Sequence, residues 1–338
     1  MSDISALNTL IKEISDLGGS IKNIEVDHDE SGLTLRVSKP ENPFEITLPE
    51  HLQLDPADFD NESCSVRDSA DIAEPVRAFW NAYVSAINDD ANRAAAAEMR
   101  QAIGMLLEEN SETFEMLGLT NFLQADIDKA AINQRMLASM IIRTEKGSRA
   151  MPFMGLARQG RSQLNISRTV SGSLTINGSS AKAVIINSGR FDSLWALNTK
   201  DVADPSMVAM SLPLSLPLGS ASGKDKSPRL VVGRNVNQSA PFKGAFAPIM
   251  RKEGNVVRLS HLALSFFGRP ALALGIFRSL TREHSIGNPD ELWGRIKSYN
   301  LRRLFSAYKV AKGIENTRLN EKLSGALSLQ IETLIESH

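Results

Sequence analysis

The hydrophobic period of this chain changes repeatedly along its length, and that succession limits the fold more than any single motif does. Residues 5–17 set Leu7, Leu10, Ile11, Ile14 and Leu17 at helical spacing, with Gly18-Gly19 as a stop. Residues 24–26, 33–37 and 44–48 alternate apolar with polar and are rich in β-branched side chains; Gly32 and the Pro40 and Pro43 turn divide them, which predicts a small antiparallel meander. Pro49 closes the last strand, and Asp55, Asp58, Asp60 and Glu62 read as an acidic loop. From 75 to 144 the period is helical, with apolar faces at Ile103, Leu106 and Leu107, then Met136, Met140 and Ile141. Strand signals return at 164–166, 172–177 and 182–187, with Gly178-Ser179-Ser180 as a turn, and 206–218 alternates around Pro213 and Pro217 as an edge strand or an extended segment would. Helical periodicity dominates after 228, with a start at Pro289-Asp290, a buried face at Trp293, Ile296 and Leu301, and a final helix over 319–335. Strands, a helical insert, strands and a helical tail make an α+β chain.

This order sets the boundaries at 1–74 and 145–223 as two parts of one β-rich core, 75–144 as an insertion, and 229–338 as an all-helical domain behind the polar junction at 224–228. A length of 338 residues, 42% hydrophobic and 23% charged, is enough for a sizeable core. The single cysteine, Cys64, has no disulfide partner and no companion for a zinc cluster, which points to a reducing, cytoplasmic setting. His28, His51, His261, His284 and His338 are scattered without ligand spacing, so no metal is expected. The most apolar run, 259–280, carries His261, Arg269, Pro270 and Arg278; it reads as a buried helix pair broken at Pro270 and not as a membrane span.

A net charge of −1 conceals an uneven distribution. Residues 1–130 sum to −17, 131–228 to +7 and 229–338 to +9. The basic rear, with Arg251, Lys252, Arg302 and Arg303, is a candidate docking face for an acidic protein; nucleic acid stays open on charge alone, with no recognition motif behind it.

The same order of elements carries specific residues. Leu10 to Gly19 followed by Ile24-Glu25-Val26, then Ser31-Gly32-Leu33-Thr34-Leu35 and Phe44-Glu45-Ile46-Thr47-Leu48-Pro49, resembles the opening of the SET-domain protein methyltransferases, in the branch of the Rubisco large-subunit lysine methyltransferase. Ile141-Ile142-Arg143 resembles that family's arginine strand, and Pro152-Phe153-Met154-Gly155-Leu156-Ala157-Arg158-Gln159 its proline-to-asparagine-histidine stretch. In that register Gly155 stands on an aspartate, Arg158 and Gln159 on the asparagine-histidine pair, and Ser188 on the catalytic tyrosine before Gly189. Asp192-Ser193-Leu194 resembles the family's next helix, Lys200-Asp201-Val202 its tyrosine-glycine-phenylalanine and Asp204-Pro205 its asparagine-proline.

The resemblance implies a SET-like core with S-adenosylmethionine as cofactor. Gly32, Leu33, Arg158 and Gln159 would line its pocket, Ser188 would face the substrate lysine, and Arg143 and Lys200 would border a groove for a protein or peptide segment. It also implies chemistry lost or altered, as in a pseudoenzyme. A serine is shorter than a tyrosine and has no ring, and a permanent charge at Arg158 is unfavourable beside a sulfonium. The alternative reading is a non-catalytic binding module that uses the basic rear.

Overall fold

The computed structural model describes residues 4–29, 32–88, 90–125, 128–144, 147–159, 165–169, 171–179, 182–186, 192–200, 203, 208–218, 228–234, 248–266 and 269–336. The fold is α+β, as the periodicity predicts, and the chain divides into two compact units. Unit 1 comprises Met1–Gly104, Gln124–Asn187 and Thr199–Asp201; unit 2 comprises Met105–Leu123, Ser188–Asn198 and Val202–His338.

Unit 1 opens with α1 (Ile4–Glu13), shorter than its apolar stripe. The stripe continues through turns, burying Ile14, until Gly18 takes φ +76 and the Gly19 N–H bonds to the Ile14 carbonyl at 2.9 Å. A Cβ on Gly19 would meet Ile14 Cγ1 at 3.0 Å and the Thr47 carbonyl at 3.1 Å, so the second glycine serves close approach. Strands β1 (Ser20–Lys22), β2 (Ile24–Asp29), β3 (Gly32–Val37) and β4 (Phe44–Leu48) come after it.

The expected meander does not form. β2 and β3 make a hairpin, whereas β4 pairs with β1 on one side and with β11 (Leu174–Gly178) on the other. The cause lies at the proline turn. Asn23, itself at φ 58, donates from its amide to the carbonyls of Lys39, Asn42 and Pro43, which folds the turn back onto the start of β2 and leads β4 away from β3. The acidic stretch is also more ordered than a loop, with β5 (Phe59–Asp60) pairing β6 (Ser65–Val66) and Cys64 buried between them at φ 56.

Helices α2 (Glu74–Ile87), α3 (Asp90–Phe114) and α4 (Lys129–Ser139) come next; α3 is kinked at Asn110, and its residues from Met105 on belong to unit 2. The hairpin β7 (Ile141–Thr144) and β8 (Gly147–Ala150), then β9 (Arg158–Gln159), β10 (Asn165–Arg168), β11 and β12 (Ile185–Ile186), complete the unit. The main sheet is antiparallel in the order β1-β4-β11-β10, with Ile46 opposite Ile176 and Leu48 opposite Leu174. Against this core α2 presents Phe79, Trp80 and Tyr83, which pack edge-on or tilted with Phe59 and Phe153 at centroid distances of 4.9–6.4 Å.

Unit 2 takes most of α5 (Ser193–Lys200) and continues with a run of short strands followed by helices. β13 (Ala209–Met210) pairs β18 (Ala263–Ser265). β14 (Leu214–Pro217), β15 (Arg229–Val232), β17 (Val256–Leu259) and β16 (Met250–Glu253) form a sheet in that spatial order, with Pro217 on an edge strand as expected. Helices α6 (Pro270–Glu283), α7 (Pro289–Lys312) and α8 (Thr317–Ile335) close the chain.

Two expectations are corrected here. The segment from 229 is not all-helical, because strands occupy it as far as 265. Leu230 and Val232 point inward around a half-buried Val231, and Val257 and Leu259 around an exposed Arg258, which is a period of two. The run 259–280 is not a broken helix pair, since Pro270 is the first residue of α6, where a missing N–H costs nothing. Asn288 and Asn316 cap α7 and α8 with their side-chain oxygens.

Candidate functional site

Four of the residues singled out in the sequence, Gly32, Leu33, Arg158 and Gln159, lie on one strand array in unit 1. The free edge of β3 is taken by 182–184: the Val37 N–H donates to the Lys182 carbonyl, the Val184 N–H donates to the Leu35 carbonyl, and Arg36 stands opposite Ala183 in an antiparallel bridge. That segment runs into β12, which pairs in parallel with β9, Ile185 opposite Arg158 and Ile186 opposite Gln159, and the Arg158 N–H donates to the Val184 carbonyl at 3.0 Å. β2, β3, 182–186 and β9 therefore lie side by side. The antiparallel sense of the 36–183 bridge carries the Leu33 end of β3 toward Ile186, the partner of Gln159. Gly32-Leu33 and Arg158-Gln159, far apart in sequence, come to the same end of this array.

Each member has a local cause. Gly32 pairs with Asp29 at the end of the hairpin. Leu33 is half-buried against the core, and Thr34, on the opposite face of the strand, is buried with no hydrogen-bond partner for its hydroxyl among the described residues. On the same face Arg36 is exposed and holds Glu25 at 2.9 Å and Asp27 at 3.2 Å; its hydrogen bond to Glu25, reinforced by both carboxylates, raises its pKa further. Arg158 is exposed at the start of β9.

The approach to β9 is held rigidly by its surroundings. The Ala150 N–H donates to the Leu54 carbonyl, the Met151 N–H to the Met140 carbonyl, and the Phe153 N–H to the phenol oxygen of Tyr83 at 2.8 Å. Phe153 is buried at φ 65, a left-handed conformation that a bulky residue rarely takes, and the Tyr83 hydroxyl supplies the acceptor that the turned backbone needs. Complete burial pushes the Tyr83 phenol well above its ordinary pKa. A single 3-10 turn over Met154–Leu156 then delivers the chain to β9. Gly155 lies in that turn. A Cβ there would come within 3.1 Å of Met140 Cγ and Ser139 Oγ, so any side chain at this position, including the aspartate that the resemblance sets on it, requires those two side chains to give by a few tenths of an ångström.

Other expected residues fall elsewhere or outside what is described. Arg143 lies in β7 and Lys200 ends α5; only their backbone placement is described. Ser188 and Gly189 lie outside the described residues, as do Asp201 and Asp204-Pro205. No group of three or more metal-ligating side chains occurs among the described residues, and no described helix is long and apolar enough to cross a membrane.

Sequence reasoning missed two polar centres. Tyr83 is one, and nothing local marks a tyrosine on an amphipathic helix as a backbone acceptor for a residue 70 positions away. The other is in unit 2. The fully buried carboxylate of Asp192 caps the Trp195 N–H at 2.8 Å, pairs with Arg234, and accepts from the Gln330 amide at 3.3 Å; Arg234 also donates to the Leu117 carbonyl. The signal for Asp192 was the cap-type residue before Ser193-Leu194; its long-range partners carry no local mark.

No family model matches the chain, and no curated protein matches it. Among solved structures, the SET domain of LSMT bound to lysine and AdoHcy overlays 100% of this chain and 89% of its own, at 12% identity and a TM-score of 0.40. Rubisco LSMT bound to AdoMet covers 98% of this chain and 88% of its own, at 13% identity and a TM-score of 0.39. Rubisco LSMT bound to sinefungin and monomethyllysine gives the same coverage, identity and TM-score. Overlaps of this order leave family membership and chemistry to be argued from the residues themselves.

Proposed function

We propose that unit 1 is a SET-like S-adenosylmethionine-binding core, related to the protein-lysine methyltransferases, in which methyl transfer is lost or altered. The observation that carries this reading is the convergence of Gly32-Leu33 and Arg158-Gln159 at one end of the array made by β3, 182–186 and β9. The order of the motifs supports it.

The fit is incomplete on the chemical side. Arg158 brings a fixed positive charge to a position that would border a sulfonium, and the packed Gly155 turn has no carboxylate to offset it. Lysine methylation needs a neutral amine aligned with the methyl group, and most of the acceleration comes from holding that geometry. A serine at 188 does not supply the aromatic hydroxyl that aligns the amine in the family.

Isothermal titration with S-adenosylmethionine tests the binding half. Saturable heat is expected, and its absence at millimolar cofactor overturns the reading. The variant Arg158→Asn, Gln159→His, Ser188→Tyr tests the chemical half by mass spectrometry of lysine peptides. Methyl transfer gained by the triple variant and lacking in the parent marks chemistry lost by substitution, whereas equal transfer in both means that the parent is active through other residues.

A further inference from the structure

Two exposed helix faces of this chain are complementary in charge, spacing and apolar content. On α7 the outward stripe is Ser298, Arg302, Phe305, Lys309 and Lys312, a spacing of four and three residues in alternation. Between Glu291 and Glu315 the chain has six basic residues and no acidic one. Phe305, in the middle of this stripe, is 42% exposed, whereas Ile296, Leu304 and Ala307 on the opposite face are fully buried. On α3, before its kink at Asn110, the outward stripe is Glu98, Gln101, Met105 and Glu108, with the same alternation of three and four. Met105, in the middle of that stripe, is 64% exposed, the highest value among the large exposed hydrophobic side chains. The one basic residue of that stretch, Arg100, is buried on the other face.

A three-four repeat averages 3.5 residues, the spacing at which two helices keep a common seam. Laid antiparallel with Met105 on Phe305, the stripes set Glu108 against Arg302, Gln101 against Lys309 and Glu98 against Lys312. Adjacent cations on α7 seven residues apart are separated by about 10.5 Å, and so are side chains seven apart on α3, so the register does not drift along the seam. Glu98, Gln101, Met105 and Glu108 on α3 and Arg302, Phe305, Lys309 and Lys312 on α7 are all exposed, so the match is open to a second copy of this chain.

We infer that this protein self-associates by docking the acidic α3 face of one copy on the basic α7 face of another. The contact centres on Met105 and Phe305, with the flanking charges setting register and orientation. Such an interface is steered by charge and weakens with salt.

Two variants and their mixture test this. Glu98→Lys, Glu108→Lys leaves two basic faces, and Arg302→Glu, Lys312→Glu leaves two acidic ones; circular dichroism verifies that both fold. Sedimentation velocity at low salt is expected to show the parent above the 36.9 kDa of one chain, each variant alone at one chain, and an equimolar mixture associated again. Raising the salt to about 0.5 M shortens the screening length severalfold and should dissociate parent and mixture alike. A parent that stays at one chain at low salt, variants that associate as the parent does, or a mixture that stays dissociated overturns the proposal. So does nucleic acid or an unrelated acidic protein occupying α7 while the parent remains a single chain.

Discussion

Replacing Tyr83 with Phe removes one oxygen from the core of unit 1 and leaves the ring stack intact. In the native chain that oxygen is the acceptor for the Phe153 N–H at 2.8 Å, in a fully buried site where water has no access to replace it. An unsatisfied buried donor costs about 1–3 kcal/mol, so the variant should be less stable by that amount at neutral pH. The alkaline range adds a signature that simple loss of packing does not have. Burial raises the folded phenol above its unfolded pKa of about 10, so the native state holds a proton that the unfolded chain releases, and native stability falls as pH rises past 10. The slope from this one group is about 1.4 kcal/mol per pH unit, so parent and variant should converge near pH 11–12. Urea titrations between pH 7.5 and 11.5, followed by the fluorescence of Trp80 at 5.7 Å from Tyr83, measure the gap directly. Other tyrosines and lysines titrate identically in both proteins and cancel in the difference. A gap that is absent at neutral pH, or constant up to pH 11.5, refutes the reasoning.

Two further substitutions probe the scaffold. Gly172→Ala forces a side chain to φ +84 and places its Cβ 2.5 Å from Glu50 Oε2, so a loss of about 1–2 kcal/mol from the backbone alone is expected in urea melts, and Glu50→Ala in the same chain should recover only the clash beyond it. Asp192→Ala leaves Arg234 without its carboxylate and Trp195 without its cap; removing one partner of a buried ion pair costs about 3–5 kcal/mol, and thermal melts should show much of this returned when Arg234→Met is added.

Much of the element order was legible because it depends on local spacing. The opening helix, the β2 and β3 strands, the helices of 75–144 and the last two helices each carry a period over enough residues to stand alone, and Asn288 and Asn316 sit where caps belong. Partner choice was not legible. β4 reads as the third strand of a meander because its neighbour in sequence is β3, whereas the turn that the Asn23 amide holds leads it to β1 and β11. The strands between 229 and 265 are three or four residues long, too short for alternation to outweigh the helical pattern behind them. At the candidate site, the resemblance pointed to Gly32, Leu33, Arg158 and Gln159, but the segment that joins their strands, 182–186, gave no sign that it lies between β3 and β9. The left-handed Phe153 was invisible for a related reason, since its stabilising acceptor comes from a helix 70 residues earlier.

The pairing of β4 with β11 sets an order of events during synthesis. When the ribosome has released β4, β1 is already available on one side, but Leu174, the partner of Leu48, has not yet been made. The nascent chain must therefore carry an apolar strand with one open edge while α2, α3 and α4 emerge, and a strand in that state is a template for pairing with another chain. Only β11 seals that edge, so the sheet closes late, and a ribosome stalled anywhere between residues 48 and 174 leaves a product with every residue of β4 and none of its second neighbour.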